Sequence, residues 1–185
     1  MVKDALHEAE DRMKGAVRAL EETLGTIRTG RASPTLVEKL MVDYYDTPTP
    51  LVQLATISAP EPRLLTIKPF DATSIKNIEK AIQASDLHLT PSNDGKLIRL
   101  SIPPLTEERR KELIKVVHHR LEDARVAVRN VRRDVHNDLR DFEKEKLISE
   151  DDLKHGETDL QKLTDKYIEQ VESLGKKKED EIKQI

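Results

Sequence analysis

The chain has no cysteine. That absence excludes disulfides, thiol nucleophiles, cysteine-ligated zinc and iron–sulfur clusters. Tryptophan is also missing, and aromatics make up 3% of the 185 residues. So few rings leave little with which to stack unpaired bases, so single-strand recognition is not expected. No apolar run approaches the roughly 20 residues that a membrane-spanning helix needs. Met1 to Asp11 is charged and has no apolar signal-peptide core, so a cytoplasmic location with no membrane partner is expected. Charge of one sign is lacking too: 32 Lys and Arg stand against 35 Asp and Glu, a net −3. No global field marks a nucleic-acid binder, and the local distribution of charge must decide. There is no glycine-rich phosphate loop, no Gly-x-Ser-x-Gly elbow and no metalloprotease motif. His118-His119 cannot easily chelate one ion, because adjacent helical residues point about 100° apart. The chain is therefore expected not to be an enzyme and to carry no metal or other cofactor.

Proline is missing from two long stretches. All nine prolines lie between Pro34 and Pro104, so residues 1–30 and 105–185 are free to form very long helices. In the first stretch Val2, Leu6, Ala9, Met13, Ala16, Leu20, Leu24 and Ile27 recur at spacings of three and four, a stripe that faces partner helices. After Pro103-Pro104, Thr106 suits an N-cap and Glu107 and Glu108 suit the first turn. The apolar stripe that follows is Leu113, Val117, Leu121, Ala124, Val128, Val131, Val135, Leu139 and Phe142. A last helix is expected from Ser149, with Glu150, Asp151 and Asp152 at its positive end and Leu153, Leu160, Leu163, Tyr167, Val171, Leu174 and Ile182 along one face. Each helix must bury its stripe against the others. Residues 1–29 and 105–185 are thus expected to form one three-helix bundle, a rod.

Residues 30–104 read differently. Leu40, Val42 and Tyr44 alternate, and Leu64 to Lys68 suits a short strand. Ile75, Ile78 and Ile82 mark a short helix after Asp71. Asn93-Asp94-Gly95-Lys96 signals a hairpin before Ile98, Leu100 and Ile102. The fold class is therefore α+β with two domains: a long three-helix bundle interrupted by a small α/β domain. The joints fall near 29–31 and 103–105, at Thr29-Gly30-Arg31 and Pro103-Pro104. Two adjacent connections of this kind can act as a hinge, or can hold two domains rigidly together.

One helical face carries most of the functional signal. At 100° per residue, Arg125, Arg129, Arg132, Arg133, His136 and Arg140 fall within roughly a 100° arc beside the apolar stripe. Lys111, Lys115 and His118 extend it towards the N-terminus. Ordinary helical charges pair at i,i+3 and i,i+4. Arg125 has Glu122 and Arg140 has Glu143 at such positions, but Arg129, Arg132 and Arg133 have no acid there. Residues 124–133 hold four arginines and no acid, a self-repelling cluster unless a partner supplies negative charge. Two sources stay open. Residues 147–185 hold seven Lys and eleven Asp or Glu, so pairing could be internal. Alternatively the partner is phosphate, which suits the planar fork of arginine, in structured RNA gripped through its backbone. A coiled-coil protein whose arginines meet another protein's acids, and a general RNA chaperone, are the competing classes.

Several ordered blocks resemble the ribosome recycling factor family across the whole chain. They are Ile27-Arg28-Thr29-Gly30-Arg31-Ala32-Ser33-Pro34, Val42-Asp43-Tyr44-Tyr45 and Pro103-Pro104-Leu105-Thr106-Glu107-Glu108-Arg109-Arg110. The most specific is Ala124-Arg125-Val126-Ala127-Val128-Arg129-Asn130-Val131-Arg132-Arg133-Asp134. Ile148-Ser149-Glu150-Asp151-Asp152 and Gln161-Lys162-Leu163-Thr164-Asp165 complete the set. Asp46 and His88 depart from it, standing where the family usually has glycine at turns of the small domain. The resemblance implies an L-shaped monomer, a rod with a mobile small domain. It implies that the rod binds the RNA of the large ribosomal subunit across the tRNA sites after termination. Elongation factor G, with its own GTP, would then drive the subunits apart, and no nucleotide would bind this chain. The family's important arginine corresponds to Arg132, with Arg129 beside it.

Overall fold

The computed structural model describes residues 1–183. They divide into two compact units, one made of Met1–Arg28 with Glu107–Lys183, the other of Thr29–Thr106.

The first unit contains three long helices: α1 (Val2–Gly25), α4 (Glu107–Lys144) and α5 (Glu150–Lys183). At 38 residues, α4 is about 57 Å long. Its buried face runs from Leu113 through Val117, Leu121, Ala124, Val128, Val131 and Val135 to Leu139, the spacing read from the sequence. Phe142 is only half buried. Ser149 and Asp152 cap α5 reciprocally. The Ser149 hydroxyl accepts from the Asp152 N–H and the Asp152 carboxylate accepts from the Ser149 N–H, both at 3.1 Å. These two bonds satisfy helix-end groups that would otherwise lack partners, and the bond from the Ser149 N–H holds the Asp152 carboxyl below its usual range.

Two helix faces differ from the expected stripes. In α1 the buried residue is Val17 rather than Ala16, and the helix stops at Gly25, so Ile27 lies beyond it. In α5 the core positions include Gly156, Thr164 and Gly175, while Leu153, Leu163 and Leu174 are half buried. The glycines let helices approach closely. A Cβ at position 175 would overlap the Leu121 side chain, and one at 156 would sit 3.2 Å from both Leu139 and Val2. Thr164 is tolerated because its hydroxyl donates back to the Leu160 carbonyl at 2.8 Å. A polar rung joins α1 to α5, where the buried Tyr167 donates to Glu10 at 2.9 Å. Burial, then that bond, pushes the Tyr167 phenol up to about 12.

The second unit contains β1 (Met41–Tyr44), β2 (Thr47–Pro50), a single helical turn α2 (Leu51–Leu54), β3 (Ala55–Glu61), β4 (Leu64–Pro69), α3 (Ile75–Ala84), β5 (Pro91–Asn93) and β6 (Ile98–Ser101). β1 and β2 form a hairpin, and the other strands form an antiparallel sheet in the order β3-β4-β6-β5. Leu65 opposes Leu100 and Ile67 opposes Ile98. These side chains share one core with Val42, Ile75, Ile78 and Ile82. Asp71 caps the turn before α3, accepting from the Thr73 N–H at 2.9 Å and from its hydroxyl at 2.7 Å. Tyr44 adds a longer bond to the same carboxylate at 3.3 Å. The sequence signals missed β2 and β3. Pro48, Pro50 and Pro60 argue against ladder positions because they lack an N–H.

Asp46 and His88 keep the backbone that glycine would favour. Tyr45 and Asp46 form the two-residue turn of the first hairpin at φ +49° and +60°, and His88 stands at φ +53°. Left-handed backbone costs an L-residue roughly 1–2 kcal/mol, less for a short polar side chain. Glycine avoids this cost but is more flexible when unfolded, by roughly 0.5–1 kcal/mol. His88→Gly is therefore expected to stabilise the fold by about 0.5–1 kcal/mol, and Asp46→Gly by less. The measurement is the urea midpoint at unchanged slope; a lower midpoint for His88→Gly would mean that its side chain holds the turn.

Candidate nucleic-acid interface

All six residues of the predicted basic stripe lie on α4, but they have different partners. Arg125 faces α5. Its Nε donates to Glu172 at 2.5 Å, Nη2 to the same carboxylate at 2.9 Å, and Nη1 to Glu122 at 3.1 Å. This forked pairing raises the Arg125 pKa further, chiefly through the bond to Glu172. The bond from Arg125 lowers the pKa of Glu172. His136 Nε2 lies 2.9 Å from Glu157 on α5. His118 meets Glu179 on the same helix. Three of the side chains read as one continuous basic arc, Arg125, His118 and His136, are thus turned towards carboxylates of the neighbouring helix. The internal source of negative charge accounts for Arg125 and His136.

The outer part of the stripe is different. Arg129 is exposed and reaches Glu122 only at 3.7 Å. Arg133 is exposed and lies 3.9 Å from Asp134, whose carboxylate is bound more closely by Arg12 of α1 at 2.9 Å. Arg132 is half buried and Arg140 exposed. Among the described residues, neither has a carboxylate within 4 Å. Lys111 pairs with Glu107 at 3.3 Å within α4. The sequence reading missed the acids that sort these cations, Glu157, Glu172 and Asp134. The available signal was the seven-residue step of Asp165, Glu172 and Glu179, which matches His118, Arg125 and Arg132 on an antiparallel helix.

The Arg125–Glu172 pair has a consequence for pH dependence. Because Glu172 has a lowered pKa in the folded state, the pair contributes stability above the ordinary glutamate range. It loses that contribution as pH falls through the folded value. Glu172→Gln is expected to flatten the acid limb of a plot of melting temperature against pH. An unchanged acid limb would show that the pair has no such linkage.

The expected hinge residues surround two chain crossings of the second unit. Thr29 is buried, and Gly30 has φ +75°. A Cβ at position 30 would lie 3.0 Å from Leu105 Cγ, so the outgoing and returning strands touch there. The Ala32 N–H donates to the Pro62 carbonyl at 2.7 Å, and the Ile102 N–H donates to the Arg63 carbonyl at 2.8 Å. Both crossings are therefore fastened to the turn between β3 and β4. Arg31, Pro103 and Pro104 are exposed beside these anchors.

Among the described residues no group of side chains is arranged to hold a metal ion, and no helix is long and apolar enough to cross a membrane. The fold and site define a three-helix bundle interrupted by a small α/β unit, with its partly unpaired cations on the longest helix. The family model described as ribosome recycling factor matches residues 20–182. The ribosome-recycling factors of Carboxydothermus hydrogenoformans and Syntrophomonas wolfei are each 56% identical over 185 residues, covering all of both chains. A solution structure of a ribosome recycling factor is 44% identical, with a TM-score of 0.73 over 100% of this chain and 98% of that one. A second structure, 44% identical with a TM-score of 0.64 over 98% of each chain, belongs to models of the T. thermophilus factor and E. coli elongation factor G bound to the E. coli post-termination complex. The chain belongs to the ribosome recycling factor family.

Proposed function

We propose that this chain binds the RNA of the large ribosomal subunit after termination through Arg129, Arg132, Arg133 and Arg140. Elongation factor G, hydrolysing its own GTP, then splits the ribosome. The observation that carries the RNA contact is the state of Arg132 and Arg140, which among the described residues have no carboxylate within 4 Å, whereas Arg125 and His136 meet glutamates of α5. Phosphate suits such arginines, because a guanidinium can donate two parallel bonds to phosphate oxygens. Arg125 and His136 serve the α4–α5 contact first and contribute less to RNA. The elongation factor G found with a related factor on the post-termination complex supports the choice of partner. The protein acts as a cytoplasmic monomer without a cofactor, and its second unit moves about the connections at 29–31 and 103–105. The test is subunit splitting with purified ribosomes, elongation factor G and GTP. Splitting should require all three components and this chain.

The contact should also depend on salt. With about four phosphates neutralised, log affinity should fall against log salt with a slope of about −3 to −4. Binding to large subunits measured between low and physiological salt checks this. A flat response would remove the phosphate contact.

A further inference from the structure

The structure leaves one position of an otherwise regular charge ladder unfilled. On α4, His118, Arg125 and Arg132 follow one another at seven-residue steps; on the antiparallel α5, Glu179, Glu172 and Asp165 do the same in reverse. His118 meets Glu179 and Arg125 meets Glu172. The third rung would join Arg132 to Asp165, yet among the described residues Arg132 has no ion pair. Asp165 instead accepts a bond from Gln161 Nε2, one turn earlier on α5, at 2.8 Å. The next contact along the helices, His136 with Glu157, is one turn beyond Arg132 on α4 and one turn before Gln161 on α5. By this spacing Arg132 falls at the register of the Gln161–Asp165 pair.

We propose that Gln161 and Asp165 are positioning residues that keep Arg132 available for RNA. Two features of their chemistry keep the rung open. Asp165 is one methylene shorter than the glutamates of the two closed rungs, which limits its reach across the interface. One of its oxygens is also occupied by the Gln161 amide. A free, longer carboxylate at this place would form a forked pair with Arg132, as Glu172 does with Arg125. Any RNA phosphate would then have to displace it. The proposal rests on the RNA contact of Arg132 proposed above.

The test uses the full chain and purified large subunits at physiological salt, alongside Arg132→Ala as the reference for the contact itself. Asp165→Glu conserves charge and restores the reach of the other rungs. It is expected to weaken binding about two- to fivefold, the range set by a competing surface ion pair. Gln161→Ala should weaken binding similarly, and Gln161→Ala with Asp165→Asn should restore it. In an Arg132→Ala background Asp165→Glu should change nothing, and it should not lower the melting temperature. If Arg132→Ala weakens binding but Asp165→Glu binds like wild type, the positioning role is overturned and the RNA contact stands. The positioning role also falls if Asp165→Glu weakens binding equally in the Arg132→Ala background, or if Asp165→Asn fails to rescue Gln161→Ala. If Arg132→Ala itself binds like wild type, the RNA contact falls first.

Discussion

Replacing Arg132 with alanine is expected to weaken binding to the large ribosomal subunit about 10- to 150-fold. A charge-assisted hydrogen bond is worth roughly 1.5–3 kcal/mol, and each 1.4 kcal/mol is a factor of ten in affinity. The effect should appear in binding and not in folding, because among the described residues Arg132 closes no ion pair. Arg125→Ala provides the contrast. That side chain holds Glu172 and Glu122, so its loss should lower the melting temperature first and affinity second. Co-sedimentation with large subunits, paired with thermal melts of the free protein, separates the two effects. Wild-type binding by Arg132→Ala would remove the proposed contact. A matching loss of stability would show that Arg132 serves the bundle instead.

Locking the second unit to the helical unit is expected to abolish splitting while leaving binding largely intact. The bonds from Ala32 to Pro62 and from Ile102 to Arg63 tie both crossings to the sheet. Bending is therefore expected to concentrate just outside these anchors, at Thr29-Gly30-Arg31 and Pro103-Pro104. Gly30 already occupies left-handed backbone, where other residues are strained, and the two prolines restrict the returning strand. A cysteine pair bridging the two units, placed in this cysteine-free chain, can be opened and closed with reductant. The oxidised form should bind large subunits nearly as well as the reduced form, since the α4 arginines are untouched. Splitting with elongation factor G and GTP should fall to background and return on reduction. If the oxidised protein splits ribosomes at the normal rate, movement about these joints is not part of the mechanism.

Most of the helical unit was legible because hydrophobic periodicity is a local property. The α4 stripe from Leu113 to Leu139 is buried at the positions its spacing gives. Ser149 with Asp152 carries a helix start in four residues. The inserted unit was harder to read. β2 and β3 contain Pro48, Pro50 and Pro60, whose missing N–H groups argue against strands until the pairing shows where no bond is needed. Gly156 and Gly175 are invisible to periodicity because a glycine contributes nothing to a hydrophobic stripe. Their role depends on how near Leu139 and Leu121 approach from α4.

The charged face marks the limit of sequence reading most clearly. By itself the sequence determined that α4 carries a cluster of arginines and that three of them lack an acid one helical turn away. It also determined that prolines confine the irregular structure to the middle of the chain, and the family blocks are written in it. Only the tertiary structure decided which cations remain available. Ion pairs between helices depend on the register and rotation of two helices about each other, and those follow from side-chain packing along both lengths at once. Arg125 and Arg132 are seven residues apart on the same helix. Among the described residues one meets Glu172 from α5 and the other meets no carboxylate, while Asp165, at the matching step of α5, accepts a bond from Gln161.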